Sequence, residues 1–488
     1  MLLSVLIFLP LLAAIALLIL DKKHARNVAV AVAIAELILT VFMAVRFQPD
    51  ASFQFAADYP WIASQGIRFH VAIDGISLLM VLLTTGLTPF ILMASAIRWE
   101  RPVSFYALIL IMETALVGVF TALDGFLFYV FWELALIPIY IICLRWGGEN
   151  RAAFTLKFFI YTLAGSLLML VALIYVYFST PAPHSFDIQA LYGAAQQLPA
   201  AQQGWIFWAM FIAFAIKMPL FPFHTWQPDT YDTAPSQGAM LLSGIMLKMG
   251  IFGLIRWLIP MVPQGVHDWG STAIILAVTG VVYASCIAIV QKDLKRLIAY
   301  SSIAHVGLIA AGIFTLNRVG IQGAMVQMIS HGIVIVALFF IVDIILARTN
   351  TQEMARLGGI RSLAPRFATV FIIVILGSIA LPLTSGFVGE FMLINSIFGY
   401  DRVMGAFAGL TMILAAVYML RGFQFTMLGE EGSASSVFAD LSNAEKLVLY
   451  PLAALILVIG VYPAPLLRIS EAAVNEVLSV ITQYHTLR

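Results

Sequence analysis

Apolar runs of about 20 residues follow one another along most of the chain, separated by short segments that hold most of its Lys and Arg residues. A helix needs about this length to cross the hydrocarbon core of a bilayer, because each residue adds about 1.5 Å. The pattern therefore predicts an all-α polytopic membrane protein with about fourteen transmembrane helices. The predicted spans lie near residues 2–20, 27–46, 75–97, 102–122, 125–144, 153–178, 205–227, 237–259, 271–290, 297–316, 320–347, 367–399, 404–428 and 446–468.

Composition supports this class, since 62% of the 488 residues are hydrophobic and only 10% are charged. Soluble domains carry roughly 25% charged residues, and a chain with a mean hydropathy of +0.99 could not cover its own surface in water. The first run is too long for the core of a signal peptide and lacks a basic leader, so we expect a retained span. The formal net charge of +1 gives no indication of a nucleic-acid partner.

The distribution of Lys and Arg over the loops predicts the orientation. One set of alternate loops carries Lys22, Lys23, Arg26, Arg98, Arg101, Arg145, Arg151, Lys292, Lys295, Arg296, Arg348, Arg356, Arg361, Arg366, Arg421 and Lys446. The other side carries only Arg46, Arg68, Arg256, Arg318, Arg402, Arg468 and Arg488. Cytoplasmic loops are enriched in basic residues, so the first set is expected in the cytoplasm and both termini outside. Termini on the same side of the membrane require an even number of spans, and the predicted number of about fourteen agrees with this.

Two outer segments are long enough to form structure of their own. Residues 47–74 contain alternating polar and apolar positions that suggest a short hairpin. Residues 179–204 are predicted to carry a surface helix near 188–197. Neither is large enough for a domain, so we expect one membrane domain without a linker.

Charged side chains at the centre of a membrane cost roughly 2.5–3.5 kcal/mol each, so those inside predicted spans are functional candidates. Lys157 and Asp343 lie near a cytoplasmic end, where snorkelling or a local pair, such as Asp343 with Arg348, is a sufficient explanation. Glu36 could face a neighbouring subunit or pair locally. The remaining candidates are Glu113, Glu133, Glu390, Lys217, Lys248, His224, His305 and His331.

These mid-span residues predict a proton relay, because amines, carboxylates and imidazoles can pass protons through intervening water. Satisfied core histidines are one competing interpretation. A metal site is another, and it is weaker because the three histidines lie on different spans without a neighbouring carboxylate or thiol motif. The predicted relay comprises Glu133, Lys217, Lys248, His305, His331 and Glu390, with Glu113 and His224 as secondary candidates.

Two of the predicted spans contain helix-breaking residues beside a charge. The seventh has Lys217 followed by Pro219, Pro222 and Pro228, and the twelfth has Pro382, Gly386 and Gly389 followed by Glu390. Each proline removes a backbone donor, and broken backbone at membrane depth is tolerated where it lines a wet or protein-filled cavity. Broken helices five spans apart indicate two inverted repeats with ion sites at the breaks.

Redox and nucleotide motifs are absent from the sequence. It contains no CxxC pair, no glycine-rich dinucleotide motif and no Walker motif. Cys143 and Cys286 both lie in apolar runs and are predicted to be core residues. We therefore expect no cofactor, metal or nucleotide on this chain.

Four stretches of the sequence carry a family resemblance: "FWELALIPIYI", "KMPLFPFHTWQPDTYDTAPSQGAMLLSGIMLKMG", "KDLKRLIAYSSIAHVG" and "LPLTSGFVGEFML". They resemble the antiporter-like subunits of respiratory complex I, and the similarity extends over nearly the whole chain. The resemblance implies one proton path through two inverted five-helix repeats, helices 4–8 and 9–13. In this chain the repeats would occupy residues 102–259 and 271–428, with three helices before them in 1–101 and the last helix and tail in 429–488.

The resemblance also implies individual roles. Glu133 would pair with Lys217, and Lys248 would be the central relay lysine. His305 and His331 would continue the path, and Glu390 stands where several sister subunits have a lysine.

The implied setting is a bacterial inner membrane, with lipid, protons and the other membrane subunits of the complex as partners, including sister antiporter-like subunits. FMN and iron–sulfur clusters would belong to partner subunits, and quinone binding to the complex rather than to this chain. The alternatives are a subunit of a multi-subunit Na⁺/H⁺ antiporter and a scaffold subunit of a membrane-bound hydrogenase.

Overall fold

The computed structural model describes residues 1–19, 24–94, 103–435 and 438–486. The predicted span ends at 20, 95–97 and 102, and the loop residues Lys22, Lys23, Arg98 and Arg101, lie outside the described residues. The helices are α1 (Leu2–Ile19), α2 (Ala25–Arg46), α3 (Gly75–Met93), α4 (Val103–Thr121), α5 (Gly125–Leu134), α6 (Leu136–Trp146), α7 (Arg151–Ser179), α8 (Ile188–Gln196), α9 (Ala200–Lys217), α10 (Gln227–Thr233), α11 (Ser236–Leu241), α12 (Leu247–Gly253), α13 (Ile259–Met261), α14 (Pro263–Val290), α15 (Leu294–Phe314), α16 (Arg318–Thr349), α17 (Ile360–Leu363), α18 (Pro365–Ser378), α19 (Ser385–Tyr400), α20 (Arg402–Met427), α21 (Asn443–Val461) and α22 (Ala464–Thr486).

The prediction of an all-α multi-pass membrane protein is confirmed. Within the described ranges, twelve helical segments are long and apolar enough to cross a membrane. The two other predicted spans, 205–227 and 367–399, each contain a helix that stops and restarts, so neither forms a continuous helix of that length. The total of fourteen spans and the pairing into five-helix repeats stay predictions.

The predicted hairpin is confirmed. Strand β1 (Gln54–Ile62) pairs antiparallel with β2 (Ile67–Ile73), and Gly66 adopts a left-handed φ of 63° in the turn. Leu123 N–H donates to His70 O at 2.9 Å, and Ile188 N–H donates to Leu123 O at 2.9 Å. These bonds fasten the hairpin to the start of α5 and to α8, the surface helix that the sequence predicted. We call this side of the molecule the hairpin face.

The chain after residue 461 differs from the prediction, which ended the last span at 468. Helix α21 stops at Val461 because Pro463 follows two residues later. Helix α22 then turns its apolar residues, among them Val474, Val477 and Ile481, towards α3 and α16. Arg318 Nη2 lies 2.5 Å from Glu471 Oε1, which fastens α22 to the start of α16.

Backbone hydrogen bonds join the loops on the side opposite the hairpin face. Gly148 N–H donates to Thr233 O at 2.7 Å, and Leu294 N–H donates to Gln352 O at 3.0 Å. Three of these four loops carry basic residues that the count assigned to one side. We call this side the loop face.

The most buried helices are those at the centre of the fold. The segment Ser236–Met261 is buried throughout its most apolar stretch, and Leu294–Phe314 and Arg318–Thr349 are buried nearly as completely. Cys143 is buried as predicted, but Cys286 is exposed on the outer surface of α14, so the prediction of a core residue was wrong there.

Candidate proton-relay site

Lys217 is the last residue of α9, where the helix breaks. Pro219 has no N–H to continue the ladder, and the next residues form turns until α10 begins. Trp226 Nε1–H donates to Ile216 O at 3.0 Å, which satisfies a carbonyl that the broken helix leaves unpaired. The helix end therefore places an ammonium group at the negative pole of the α9 dipole.

The Lys217 ammonium has an aromatic neighbour. It is buried, and Nζ lies 5.1 Å from the centre of the Trp132 ring without a hydrogen-bond partner among the described residues. Pro228, which the sequence suggested as a further break, instead lies in the first turn of α10, where a proline is tolerated.

Glu133 lies at a third helix break, which the sequence analysis missed. Helix α5 ends at Leu134 and α6 begins at Leu136. Pro138 explains the break, because its ring clashes with the carbonyl four residues earlier, that of Leu134. The proline in "FWELALIPIY" was the signal for it.

Glu133 and Lys217 are neighbours without a direct ion pair. Glu133 is the carboxylate that acts electrostatically on Lys217, but no nitrogen–oxygen contact within 4.0 Å joins them among the described residues. Glu133 Oε1 is buried and unpartnered. The implied pair is thus present as a close arrangement around Trp132 rather than as a closed salt bridge.

Lys248 lies on a helix with irregular winding. Two π-helical turns, Leu242–Met246 and Leu254–Leu258, flank α12. Lys248 Nζ donates to Ser243 O at 2.7 Å and lies 2.9 Å from His331 Nδ1. Such widened turns are frequent at functional sites, and here the turn brings the carbonyl five residues back within reach of the ammonium group.

Two glycines allow this helix to lie against the broken end of α9. A Cβ atom at Gly250 would lie 2.6 Å from Phe214 O, and one at Gly253 would lie 2.5 Å from the Phe214 ring. Because Phe214 is one turn before Lys217, this close approach brings the elements that carry the two lysines into contact.

The path continues from His331 through His305 to Glu390. The two imidazole ring centres are 5.9 Å apart, and His305 Nδ1 lies 2.8 Å from Glu390 Oε1. The angles at this contact fall outside those of a good hydrogen bond. Gln327 Nε2 donates to Glu390 Oε1 at 3.1 Å, and its role was not visible in the sequence. We call Lys248, His331, His305 and Glu390 the relay cluster.

A small cavity of about 10 Å³ lies beside the two histidines, which is room for about one water molecule. Its lining is mixed, and its polar members include Ser301, Ser330 and Gln327. Ser330 Oγ lies 2.7 Å from Ser385 Oγ, which connects the cavity wall to α19. Hydroxyl, amide and imidazole groups around such a space can form hydrogen bonds that carry a proton between the rings.

The second predicted break is confirmed at residues 379–384, which contain Pro382. Ala380 and Leu383 take left-handed φ values of 56° and 76°, a costly conformation for side chains of this kind. The sequence suggested that Gly386 and Gly389 also break the helix, but they do not. They lie inside α19, where a Cβ on Gly389 would lie 2.5 Å from Gln327 Oε1.

The secondary candidates lie away from the relay cluster. The His224 ring stacks on Phe221, with ring centres 5.7 Å apart, and makes an edge-on contact with Tyr283 at 5.2 Å. Glu113 and Glu36 are buried and interact electrostatically with each other. Thr88 lies beside Glu113, but none of the four carboxyl oxygens has a partner in hydrogen-bond geometry among the described residues. Glu36 thus has a local neighbour.

The charges near the helix ends have local partners. Lys157 Nζ donates to Thr225 O at 2.7 Å and to Asp229 Oδ2 at 3.1 Å. This agrees with the local ion pair that the sequence suggested as an explanation for Lys157. Arg348, which the sequence offered as a partner for Asp343, pairs with Glu445 at 2.6 Å. Asp343 instead accepts a hydrogen bond from Ser236.

Arg256, which the prediction counted among the basic residues of the outer side, is not a free loop charge. It is buried near the hairpin face, in an ion pair with Asp74 at the start of α3. A buried pair of this kind is a structural contact rather than an orientation signal.

Buried lysines, histidines and a glutamate that lie together in a multi-pass fold with broken helices are typical of an antiporter-like membrane subunit. The chain belongs to the NADH:quinone oxidoreductase/Mrp antiporter transmembrane family, whose model matches residues 122–417. NADH-quinone oxidoreductase subunit M of Rickettsia typhi is 40% identical over 97% of this chain and 98% of its own length. The subunit M of Rhodobacter capsulatus is 36% identical over 99% and 97%.

The fold agrees with these relatives. A chain in the structure of respiratory complex I from Thermus thermophilus with bound NADH superposes with a TM-score of 0.89. It is 29% identical, and the match covers 98% of this chain and 100% of that one. The resemblance to complex I antiporter-like subunits that the sequence motifs indicated is confirmed.

Proposed function

We propose that this chain is a proton-translocating membrane subunit of an NADH:quinone oxidoreductase, of the subunit M type. The relatives with nearly full-length similarity carry that name. The observation that carries the mechanism is the relay cluster, in which an amine, two imidazoles and a carboxylate follow one another through the most buried helices. Buried polar side chains with a purely structural role would not need to lie next to one another in such a series.

Proton transfer along the relay cluster begins at Lys248. Its charged ammonium donates a proton to Nδ1 of neutral His331, which leaves a neutral amine and an imidazolium. The imidazolium releases its Nε2 proton towards His305, through the small cavity beside the two rings. His305 then passes its Nδ1 proton to the Glu390 carboxylate, 2.8 Å away. Each ring must exchange or reorient its remaining proton before the next transfer.

Glu133 and Lys217 supply the control step in this proposal. The Glu133 carboxylate favours the charged form of Lys217, and its withdrawal favours proton release towards Lys248. Because no contact within 4.0 Å joins the described Glu133 and Lys217 side chains, a shift of Glu133 can strengthen or weaken its effect on Lys217. The contact of Gly250 with the end of α9 allows such a movement to affect the helix that carries Lys248.

We propose a bacterial inner-membrane location, with the loop face in the cytoplasm. The support is the excess of Lys and Arg in the loops of that face. Both chain termini then lie on the outer side. We also propose that FMN and iron–sulfur clusters reside on partner subunits, and that sister antiporter-like subunits adjoin this one.

The proposed function is tested by Lys217→Ala and Glu133→Ala in the assembled complex. We expect each variant to lower proton pumping per NADH oxidised by at least about tenfold, as for loss of an acid–base group. Lys157→Ala is the matched control, because it removes a partly exposed lysine near the start of α7 whose partner is Asp229 rather than Glu133. Normal pumping in both test variants would show that this subunit does not translocate protons.

A Na⁺/H⁺ antiporter subunit is the second candidate. The fold also matches a chain of the Mrp complex from Dietzia, with a TM-score of 0.85 at 19% identity, which supports the shared fold alone. Purification of the native complex decides between them. Co-purifying flavin and iron–sulfur absorbance supports the oxidoreductase, whereas sodium-dependent proton exchange without a redox spectrum supports the antiporter.

A further inference from the structure

Trp132 is the residue through which α5 contacts the broken end of α9. It is 2% exposed, and its ring centre lies 5.6 Å from that of Phe128, one turn earlier in α5. On its other side, the ring centre of Phe214 in α9 is also 5.6 Å away, at an interplanar angle of 60°. Contacts from both helices therefore hold the indole ring in one orientation.

One face of this ring is turned towards Lys217. The ammonium nitrogen lies over the ring, 5.1 Å from its centre, and a cation interacts with an aromatic face within about 6 Å. The attraction arises because the π electrons make the face of the ring negative. It is strongest for tryptophan among the aromatic side chains, and it increases where water is excluded. Lys217 is buried, so the ring acts on a desolvated cation.

Trp132 and Glu133 are adjacent in the sequence but differ in how firmly they are held. Successive residues of an α-helix point about 100° apart. The indole ring packs inward, whereas the glutamate is partly exposed in the last turn of α5. Neither Glu133 Oε1 nor Lys217 Nζ has a hydrogen-bond partner among the described residues. The ring is thus the fixed neighbour of the ammonium group, and the carboxylate is the variable one.

A buried ammonium group without hydrogen bonds is costly unless another attraction compensates it. When Glu133 withdraws, the Trp132 ring is the attraction that remains close to Lys217 Nζ. The ring carries no net charge, so its attraction is weaker than that of a carboxylate at close range. Such a partner can keep the cation in place without preventing the loss of its proton.

We propose that Trp132 is a positioning residue for proton transfer, whose ring holds the charged Lys217 ammonium while Glu133 is withdrawn. The proposal rests on the proposed function and adds a second, uncharged partner to its control step. No covalent bond of the ring changes. The proton that leaves Lys217 towards Lys248 converts the ammonium into a neutral amine, so the attraction lasts only while Lys217 carries the proton.

Fluorinated tryptophans at position 132 test the proposal in the assembled complex. Fluorine draws electrons away from the ring face and weakens its attraction for a cation, while the shape of the ring changes little. Tryptophans with successively more ring fluorines are incorporated at this position, and proton pumping per NADH oxidised is measured in vesicles. We expect pumping to fall progressively with the number of fluorines, by about threefold to tenfold for the most fluorinated ring.

Trp257 provides the matched control. It is buried, and its ring centre lies 4.7 Å from that of Phe128, the same ring that packs on Trp132. Among the described residues, the cation–ring contacts do not include Trp257. Fluorination at position 257 therefore changes a packed ring without a cation, and it should leave pumping unchanged.

Ordinary substitutions give a second measurement. Trp132→Phe keeps an aromatic face with a weaker attraction, and it should lower pumping by about threefold or less. Trp132→Leu has no ring, and it should lower pumping at least about tenfold. Partial recovery by the aromatic substitution is not expected if any large apolar side chain is sufficient. If Trp132→Leu does not assemble, the fluorinated series decides alone, because those rings keep the shape of tryptophan.

Two results would overturn the proposal: pumping that does not depend on the number of fluorines at position 132, or the same progressive loss at position 257. An equal loss at both positions would show an effect of packing rather than of the cation. Neither result touches the proposed function if Lys217→Ala has lost pumping. Conversely, normal pumping by Lys217→Ala refutes proton translocation itself, whatever the fluorinated rings show.

Discussion

The two buried lysines differ in the hydrogen bonds that their ammonium groups make. Lys248 Nζ donates to a backbone carbonyl and reaches an imidazole nitrogen. Lys217 Nζ has the Trp132 ring and the more distant charge of Glu133, and no hydrogen bond to a described residue. A buried cation without hydrogen bonds depends strongly on any nearby countercharge. Lys217 is therefore suited to switching and Lys248 to conduction.

His331→Asn tests conduction at a single atom. The amide oxygen of Asn can accept the Lys248 hydrogen bond from about the position of Nδ1, but an amide cannot carry the proton onward. We expect normal assembly and at least about a tenfold loss of pumping per NADH. Thermal unfolding of the purified complex checks that the variant is folded. Undiminished pumping would remove His331 from the path.

At the scale of helices, the breaks place opposite charges at opposite kinds of helix end. Lys217 ends a half-helix at its C-terminus, and Glu390 lies in the second turn of a half-helix that begins after a break. Both arrangements agree with the direction of the helix dipole, although the effect on Glu390 is weaker because it falls off beyond the first turn.

The breaks at Pro219 and Pro382 could be predicted because proline has a fixed structural consequence. The break after Glu133 was equally visible in Pro138, but a single proline in an apolar run reads as a mild kink. The π-helical turns beside Lys248 have no such signature in composition. Nor has Gln327, whose contact with Glu390 depends on how two distant helices pack through Gly389.

Gly250→Ala tests the close packing of the two lysine-bearing elements. The new methyl group would meet Phe214 O at 2.6 Å, and backbone cannot rotate aside as a side chain can. We expect a destabilisation of about 1–3 kcal/mol together with lower pumping. Gly193→Ala is the control, because its Cβ meets nothing within 4 Å in α8. A variant complex with unchanged melting temperature and pumping would show that the contact is dispensable.

At the scale of the molecule, each face is held by polar contacts that the sequence pattern alone could not pair. The alternation of loops between two sides was predictable from the spans. The fastening of β2 to α5 and α8 was not, because it joins residues more than fifty positions apart. His70 Nδ1 lies 2.8 Å from Asp187 Oδ2, and Arg68 N–H donates to Asp124 Oδ2 at 3.1 Å. Through Asp124, which caps α5, the hairpin is connected to the helix of Glu133.

This fastening makes the hairpin face sensitive to pH. The hydrogen bond with Asp187 raises the pKa of His70 above its usual 6.5, against the opposing effect of burial. A raised histidine pKa contributes stability that is complete below pH 6.5 and is lost as the pH rises through the folded-state value. Burial opposes a low pKa for Asp187, but the His70 contact lowers it, so this carboxylate stays ionised throughout that range.

Hydrogen exchange in the hairpin measures the effect. In the wild-type complex, protection of the amides in 54–73 should fall as the pH rises above 6.5, after correction for intrinsic exchange rates. In His70→Gln, which keeps a hydrogen-bonding side chain but no titratable ring, the pH dependence should be flatter. Asp124, whose pKa burial raises to about 6, is ionised over most of this range, and the hydrogen bond with Asp58 raises the pKa of Arg68, which therefore stays charged there. The same pH slope in both proteins would exclude His70 and would leave the hairpin held by its backbone bonds alone.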